Sequence, residues 1–184
     1  FSCNWQRSKR AHYGSKLFES GVKVFSILTN LNPGLIHLSK EYLFVRNYKD
    51  NIKIIIDFAI SKEIGCVVIG PEDPLALGFS DAFWKKGIPV VGPVMSLAQI
   101  ETSKGFTRDL LNKNEIYVSP KYQRFQSTNG VEDFISLLSD EYVVKYDGLM
   151  GGKGVKVSGE HLMSVNEGLS YCKDLVSNGG SFII

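Results

Sequence analysis

Short apolar, β-branched runs alternate with stretches of helical periodicity through the first half of this chain, and that alternation constrains its fold more than any other feature. A helix-like stretch, Ala11 to Ser20, is closed by Gly21 and followed by the apolar run Val22 to Leu28. Asn32-Pro33-Gly34 reads as a turn and Tyr42 to Val45 as a short strand. Asp50 to Glu63 reads as a helix, with Ile54, Phe58 and Ile64 near helical spacing and Gly65 at its end. Cys66 to Ile69 is a buried-strand run, Ala76 to Lys86 a helix, and Ile88 to Val91 a strand before Gly92-Pro93. Strands separated by helices and short connections predict a parallel sheet covered by helices on both faces, with ligands at the carboxyl ends of the strands.

Near residue 95 the rhythm changes. Leu97 to Asn112 and Val131 to Leu138 read as helices, and Ser119-Pro120 and Ser127 to Gly130 as loops. Tyr142 to Lys145 and Val155 to Val157 read as two strands facing each other across a glycine-rich segment, and Phe182 to Ile184 as a further strand. A boundary within Gly92 to Ser96 divides the chain into residues 1–94 and 95–184.

A formal net charge of +2 over 184 residues, with acids and bases interspersed, argues against a nucleic-acid partner. The exception is Gln6 to Lys16, which carries Arg7, Lys9, Arg10 and Lys16 without an acid. Cys3, Cys66 and Cys172 form no CxxC pair, which predicts neither a disulfide framework nor a zinc site and fits a cytoplasmic protein. The longest apolar runs, such as Ile52 to Ile60, are broken by Lys53 and Asp57 and predict no membrane partner. His12, His37 and His161 are scattered, with no Cys or acid at ligand spacing, so no metal site is read from them. Phe18, Phe25, Phe58, Phe79 and Phe83 read as core.

The chemistry concentrates in Val143-Val-Lys-Tyr-Asp-Gly-Leu-Met-Gly-Gly-Lys-Gly-Val155. Four glycines, Gly148, Gly151, Gly152 and Gly154, allow positive φ and close backbone approach, so that successive N–H groups point at phosphate oxygens while Lys145 and Lys153 supply charge. A Walker A loop is excluded, because Gly154 and Val155 stand where that motif needs Ser or Thr and a helix. The competing reading is a hairpin tip without a ligand.

Val144-Lys145, Asp147-Gly148 and Gly152-Lys153-Gly154 resemble the first half of an ATP-grasp domain. Gly70-Pro-Glu-Asp-Pro-Leu-Ala-Leu-Gly78, Gly87-Ile-Pro-Val-Val-Gly-Pro93 and Glu101-Thr-Ser-Lys-Gly-Phe106 resemble the phosphoribosylamine–glycine ligase family of purine synthesis, in unbroken order over about residues 18 to 184. The resemblance implies an α/β protein: a Rossmann-like parallel-sheet domain that precedes the ATP-grasp, then the first part of an α+β ATP-grasp domain. It also implies that Lys104 and Lys145 contact ATP phosphates and that Lys153 and the loop glycines close over them. Gly70, Pro71, Glu72 and Pro74 would face phosphoribosylamine, with Asp147 beside both sites. As bland alternatives, Glu72 and Asp73 form a solvated turn and Lys104 is a surface helix lysine. The implied reaction activates the glycine carboxylate as glycyl phosphate at the expense of ATP with Mg2+ or Mn2+, and the amine of 5-phosphoribosylamine then displaces phosphate. Another carboxylate–amine ligase of the ATP-grasp type would share the lysines and the loop, whereas a truncated nucleotide-binding module would lack catalysis.

Two departures from the family pattern stand out. The family opens with a strand and a glycine-rich turn, where this chain has Asn4 to Tyr13 with no glycine before Gly14, so Arg7, Arg10 and His12 are given no site role. The metal-binding Glu and Asn of an ATP-grasp domain are expected beyond Ile184. The 184 residues alone are therefore expected not to ligate, an expectation that glycine-dependent ADP release would overturn.

Overall fold

A computed structural model describes residues 5–184, with the backbone alone for residues 5–11. Cys3 and Asn4, and the side chains of Arg7, Lys9 and Arg10, lie outside the described residues. The chain forms two compact units, one extending to Ala98 and one from Gln99 to Ile184.

The first unit opens with helix α1 (Trp5–Glu19), which ends at Gly21 in the left-handed region, φ 81°. Strand β1 (Phe25–Leu28) follows. Asn32-Pro33-Gly34 is not a turn but the start of helix α2 (Pro33–Leu38): the Asn32 side chain accepts from the Leu35 N–H at 3.2 Å, and Pro33 occupies the first helical position, where its missing N–H costs nothing. Strand β2 (Glu41–Phe44) pairs in parallel with β1, Phe25 opposite Glu41. Helix α3 (Ile52–Ser61) buries Ile55, Ile56 and Ala59, whereas Ile54 is exposed and Phe58 only half-buried. The buried face is therefore rotated from the one read in the sequence: Ile55, Ile56 and Ala59 bury together, and Lys53 and Asp57 pair on the solvent side with Ile54 exposed beside them.

Strand β3 (Val67–Val68) pairs in parallel with β4 (Val90–Val91). Between them the helix expected from Ala76 to Lys86 is the shorter α5 (Phe79–Trp84), and a separate, unexpected helix, α4 (Glu72–Ala76), precedes it, with Gly78 at φ 77° between the two. Phe79 and Phe83 do lie in the core, with Tyr48 edge-on to Phe79 at 6.1 Å. Phe18 does not: it is exposed. Helix α6 (Met95–Thr102) begins where the Asp81 carboxylate accepts from the Met95 N–H at 2.8 Å.

In the second unit, the continuous helix expected from Leu97 to Asn112 is broken at Ser103. That residue is extended (φ −130°) and accepts from the Phe106 N–H at 3.0 Å, so it caps a new helix, α7 (Lys104–Lys113). Strand β5 (Arg124–Phe125), helix α8 (Val131–Leu137), strands β6 (Val143–Tyr146) and β7 (Val155–Val157), helix α9 (Val165–Ser177) and strand β8 (Phe182–Ile183) complete it. The four strands form an antiparallel sheet in the order β5-β8-β6-β7. Val144 and Phe182, both 0% exposed, anchor its inner face against α8 and α9, and Phe125 stacks on Phe182 at 5.3 Å. The Cys172 thiol within this core is pushed up to about 12 by burial. Among the described residues no helix is long and apolar enough to cross a membrane.

Candidate nucleotide and substrate sites

Successive residues of a strand face opposite sides, so the register that buries Val144 turns Lys145 to the other face of the sheet. There Lys145, with Arg108 of α7, lines an open cavity of about 640 Å³ bounded by Val157, Tyr122 and Ile183. Neither cation takes part in an ion pair among the described residues. Burial lowers the pKa of the Lys145 ammonium, and the like charges of Arg108 and Lys104 lower it further. Such a group gains from an anion that enters beside it.

Beyond β6 the chain runs through Asp147 to Gly154 and returns into β7. Tyr146 N–H donates to the Gly154 carbonyl at 2.7 Å, and a tight turn is closed by Lys153 N–H onto the Met150 carbonyl at 3.0 Å. Gly151 and Gly152 hold φ of 55° and 82°, which only glycine adopts without strain. At Gly154 a Cβ would come within 2.8 Å of Tyr146 Cβ, so the close approach of the two strands requires glycine there too. The N–H groups of Gly148 to Gly152 donate to no acceptor among the described residues. Lys153 at the tip is exposed.

Asp147 and Lys104 belong to one network. Ser103 Oγ and the Gly105 N–H each donate to Asp147 Oδ1 at 3.0 Å, and Arg124 Nη2 donates to Oδ2 at 3.1 Å. Its side chain is only 2% exposed, so its oxygens face protein donors and not an incoming ligand. Lys104 Nζ donates to the carbonyls of Tyr146 and Gly148 at 3.1 and 3.0 Å.

Gly70, Pro71, Glu72 and Pro74 lie in the first unit, at the carboxyl end of β3 and in α4. Gly70 is exposed, Pro71 is the extended residue ahead of α4, Glu72 is half-buried in its first turn, and Pro74 is buried. The candidate nucleotide residues Lys104, Lys145 and Gly148 to Gly154 and this segment thus fall in different units. Among the described residues no three His, Cys, Asp or Glu side chains converge as a metal-binding group.

The family model for phosphoribosylglycinamide synthetase, N domain, matches residues 15–101, and that for phosphoribosylglycinamide synthetase, ATP-grasp (A) domain, matches residues 102–182. The chain belongs to the phosphoribosylglycinamide synthetase family. It is 35% identical to the phosphoribosylamine–glycine ligase of Methanosarcina barkeri over 170 residues, 92% of this chain and 39% of that protein. It is 42% identical to that of Methanococcus maripaludis, over 89% of this chain and 38% of that one. It therefore spans about two fifths of the length of these relatives. Among solved structures it resembles phosphoribosylamine–glycine ligase from Thermotoga maritima (TM-score 0.66, 20% identity, 97% of this chain, 40% of that chain). It also resembles N5-carboxyaminoimidazole ribonucleotide synthetase in its ADP complex (TM-score 0.68, 20% identity, 97% and 43%) and biotin carboxylase from Campylobacter jejuni (TM-score 0.71, 14% identity, 97% and 42%). At these identities the structural likeness speaks for the fold alone, and three different activities share it.

For a member of the synthetase family, the sequence reading omitted two residues that the structure brings to the site. Arg108 lies four positions after Lys104 on α7, so helical spacing alone would have placed both on one face. Arg124 had no such signal, because its two-residue strand is too short to show periodicity.

Proposed function

We propose that this chain forms the amine-substrate segment and one wall of the nucleotide site of a phosphoribosylamine–glycine ligase. It is divided in function near residues 95–98. The observation that carries the reading is that loop amides with no acceptor among the described residues follow directly on β6, the strand of Lys145, whose ammonium shares one cavity with Arg108 of α7, neither cation being in an ion pair among the described residues. Amides and ammonium groups in that arrangement suit the oxygens of a triphosphate. Lys145 and Arg108 would neutralise phosphate charge, Gly148, Gly151, Gly152 and Gly154 would let the backbone close over it, and Lys153 would approach from the tip. Lys104 would add its charge from behind, through the carbonyls it now holds.

ATP makes the glycine carboxylate reactive. A carboxylate oxygen attacks the γ-phosphorus as the bond to ADP breaks. The amine nitrogen of 5-phosphoribosylamine then attacks the acyl carbon, phosphate leaves, and the nitrogen loses a proton. A divalent ion, Mg2+ or Mn2+, would supply further charge neutralisation for the triphosphate; no ligand for it is assigned among the described residues. Gly70, Pro71, Glu72 and Pro74 are the proposed contact with the amine substrate, in the cytoplasm.

Titration of the chain with ATP tests the first half of the reading. Lys145→Ala should weaken ATP binding by about tenfold or more, since a charge-assisted hydrogen bond contributes about 1.5–3 kcal/mol. Glu72→Ala should leave ATP binding unchanged and, in the ligase reaction of a protein completed to the length of its relatives, raise the KM for phosphoribosylamine. Equal effects of both substitutions on both ligands would refute the assignment. Loss of ATP binding in Lys145→Ala without any Glu72 effect on the amine would favour a different carboxylate–amine ligase on the same scaffold.

A further inference from the structure

Two three-residue segments, 103–105 and 146–148, grip each other reciprocally. The neighbours of Lys104, Ser103 and Gly105, both donate to the Asp147 carboxylate, while Lys104 donates to the carbonyls of the neighbours of Asp147, Tyr146 and Gly148. Each segment therefore holds the residue at the centre of the other. The clasp joins the first turn of α7 to the point where β6 passes into the glycine loop.

Arg124 closes this clasp from outside. Its Nη2 reaches Asp147 at 3.1 Å and its Nη1 reaches Asp109 of α7 at 2.6 Å, where the Tyr122 hydroxyl also donates to Asp109 at 3.1 Å. Gly105 leaves the room for it, since a Cβ there would overlap Arg124 Nε and lie 2.6 Å from Asp147 Oδ2. A carboxylate as buried as Asp147 needs a cation and several donors, and the planar fork of Arg124 serves two carboxylates on separate elements at once, with separate nitrogens.

We propose that Arg124 and Asp147 form a positioning pair. By fixing residues 146–148 against α7, it holds Lys104 and the stem of the glycine loop in place and confines loop movement to residues beyond Gly148. Neither side chain touches the ligand. Both act through Lys104 and the loop. The effect on ATP rests on the nucleotide reading above; the effect on the loop does not.

The test compares the full chain with Arg124→Gln, Arg124→Lys and the pair Arg124→Gln/Asp147→Asn, by residue-resolved amide hydrogen exchange and by ATP titration. Both single variants should speed exchange of the Gly105 amide by about tenfold and weaken ATP binding by a similar factor, the size expected for directly coupled groups. Lys keeps the charge but not the fork, so its failure to rescue separates positioning from simple charge balance. The double variant leaves no lone buried carboxylate and should be no worse than Arg124→Gln; it carries the test if that variant does not fold. Wild-type Gly105 exchange in folded Arg124→Gln, or additive losses in the double variant, would overturn the proposal. Faster Gly105 exchange in a chain whose wild type binds no ATP would uphold the positioning pair and remove the nucleotide reading instead.

Discussion

The two glycine-bearing segments at strand ends differ in how the backbone is held. After β3, Gly70 leads at once into a helix in which Pro74 and Leu75 are buried, and the N–H groups of Leu77 and Gly78 donate to the carbonyls of Asp73 and Leu75. After β6, the stem residue Asp147 is fixed, but from Gly148 to Gly152 the N–H groups have no acceptor among the described residues, and two glycines hold positive φ. A surface that recognises a small polar substrate by shape gains from rigidity before binding. A loop that must admit a nucleotide and then cover it gains from donors left open until the ligand arrives. The two segments thus differ in backbone: one is held in a helix, the other keeps its N–H groups open.

The largest expected effect breaks the rigid segment. Leu75 is buried in α4, so Leu75→Ala should destabilise the first unit by about 2–5 kcal/mol. Met150, exposed in the loop, should change stability by less than about 0.5 kcal/mol when replaced by Ala. Thermal unfolding followed by circular dichroism compares the two. Comparable losses would mean that the loop is as tightly packed as the helix.

A smaller effect sharpens the other side of the comparison. At φ 82°, Gly152→Ala should strain the loop conformation by about 1–2 kcal/mol. Because nothing lies within 4 Å of the added Cβ, that strain would come from the backbone alone. Global stability should barely change, whereas ATP affinity should fall several-fold. An unchanged affinity would show that the bound loop does not use this backbone conformation.

These contrasts were only partly legible in the sequence. Gly21 and the alternation of strands and helices could be read because each obeys a local rule, and the β6–β7 hairpin because its glycines sit between two β-branched arms. Three features escaped for stated reasons. The break at Ser103 lies inside a stretch that reads as one helix, so spacing alone runs α6 and α7 together, and the five residues of α4 ahead of Gly78 are too few to show a period. Asn32-Pro33-Gly34 carries turn composition, but Asn and Pro serve equally as an N-cap and first helical residue. Lys145 and Lys153 could be named from spacing and charge as the cations beside the loop glycines, whereas only the family resemblance names Lys104. The hydrogen bonds of Lys104 and Asp147 could not be read, because their partners are 23 to 44 residues away.

The smallest effect concerns a proton. Burial, then the charges of Arg108 and Lys104, hold the Lys145 pKa below its usual 10.5 in the free protein. For a base whose folded pKa is depressed, the cost of keeping it charged is present at low pH. Stability therefore rises as pH increases from the folded pKa toward the unfolded value. A triphosphate placed against Lys145 favours the charged form and raises the pKa again. ATP binding should then take up a fraction of a proton just above the free-state pKa of Lys145, and affinity should fall as pH rises through that window. Calorimetric titration in two buffers of different ionisation enthalpy measures the uptake directly. Lys145→Met should abolish both the uptake and the alkaline gain in stability, while Lys153→Met, at the exposed tip, should leave both intact. If the uptake survives in Lys145→Met, another group responds to the phosphates, and the loop rather than the sheet face would be the seat of the linkage.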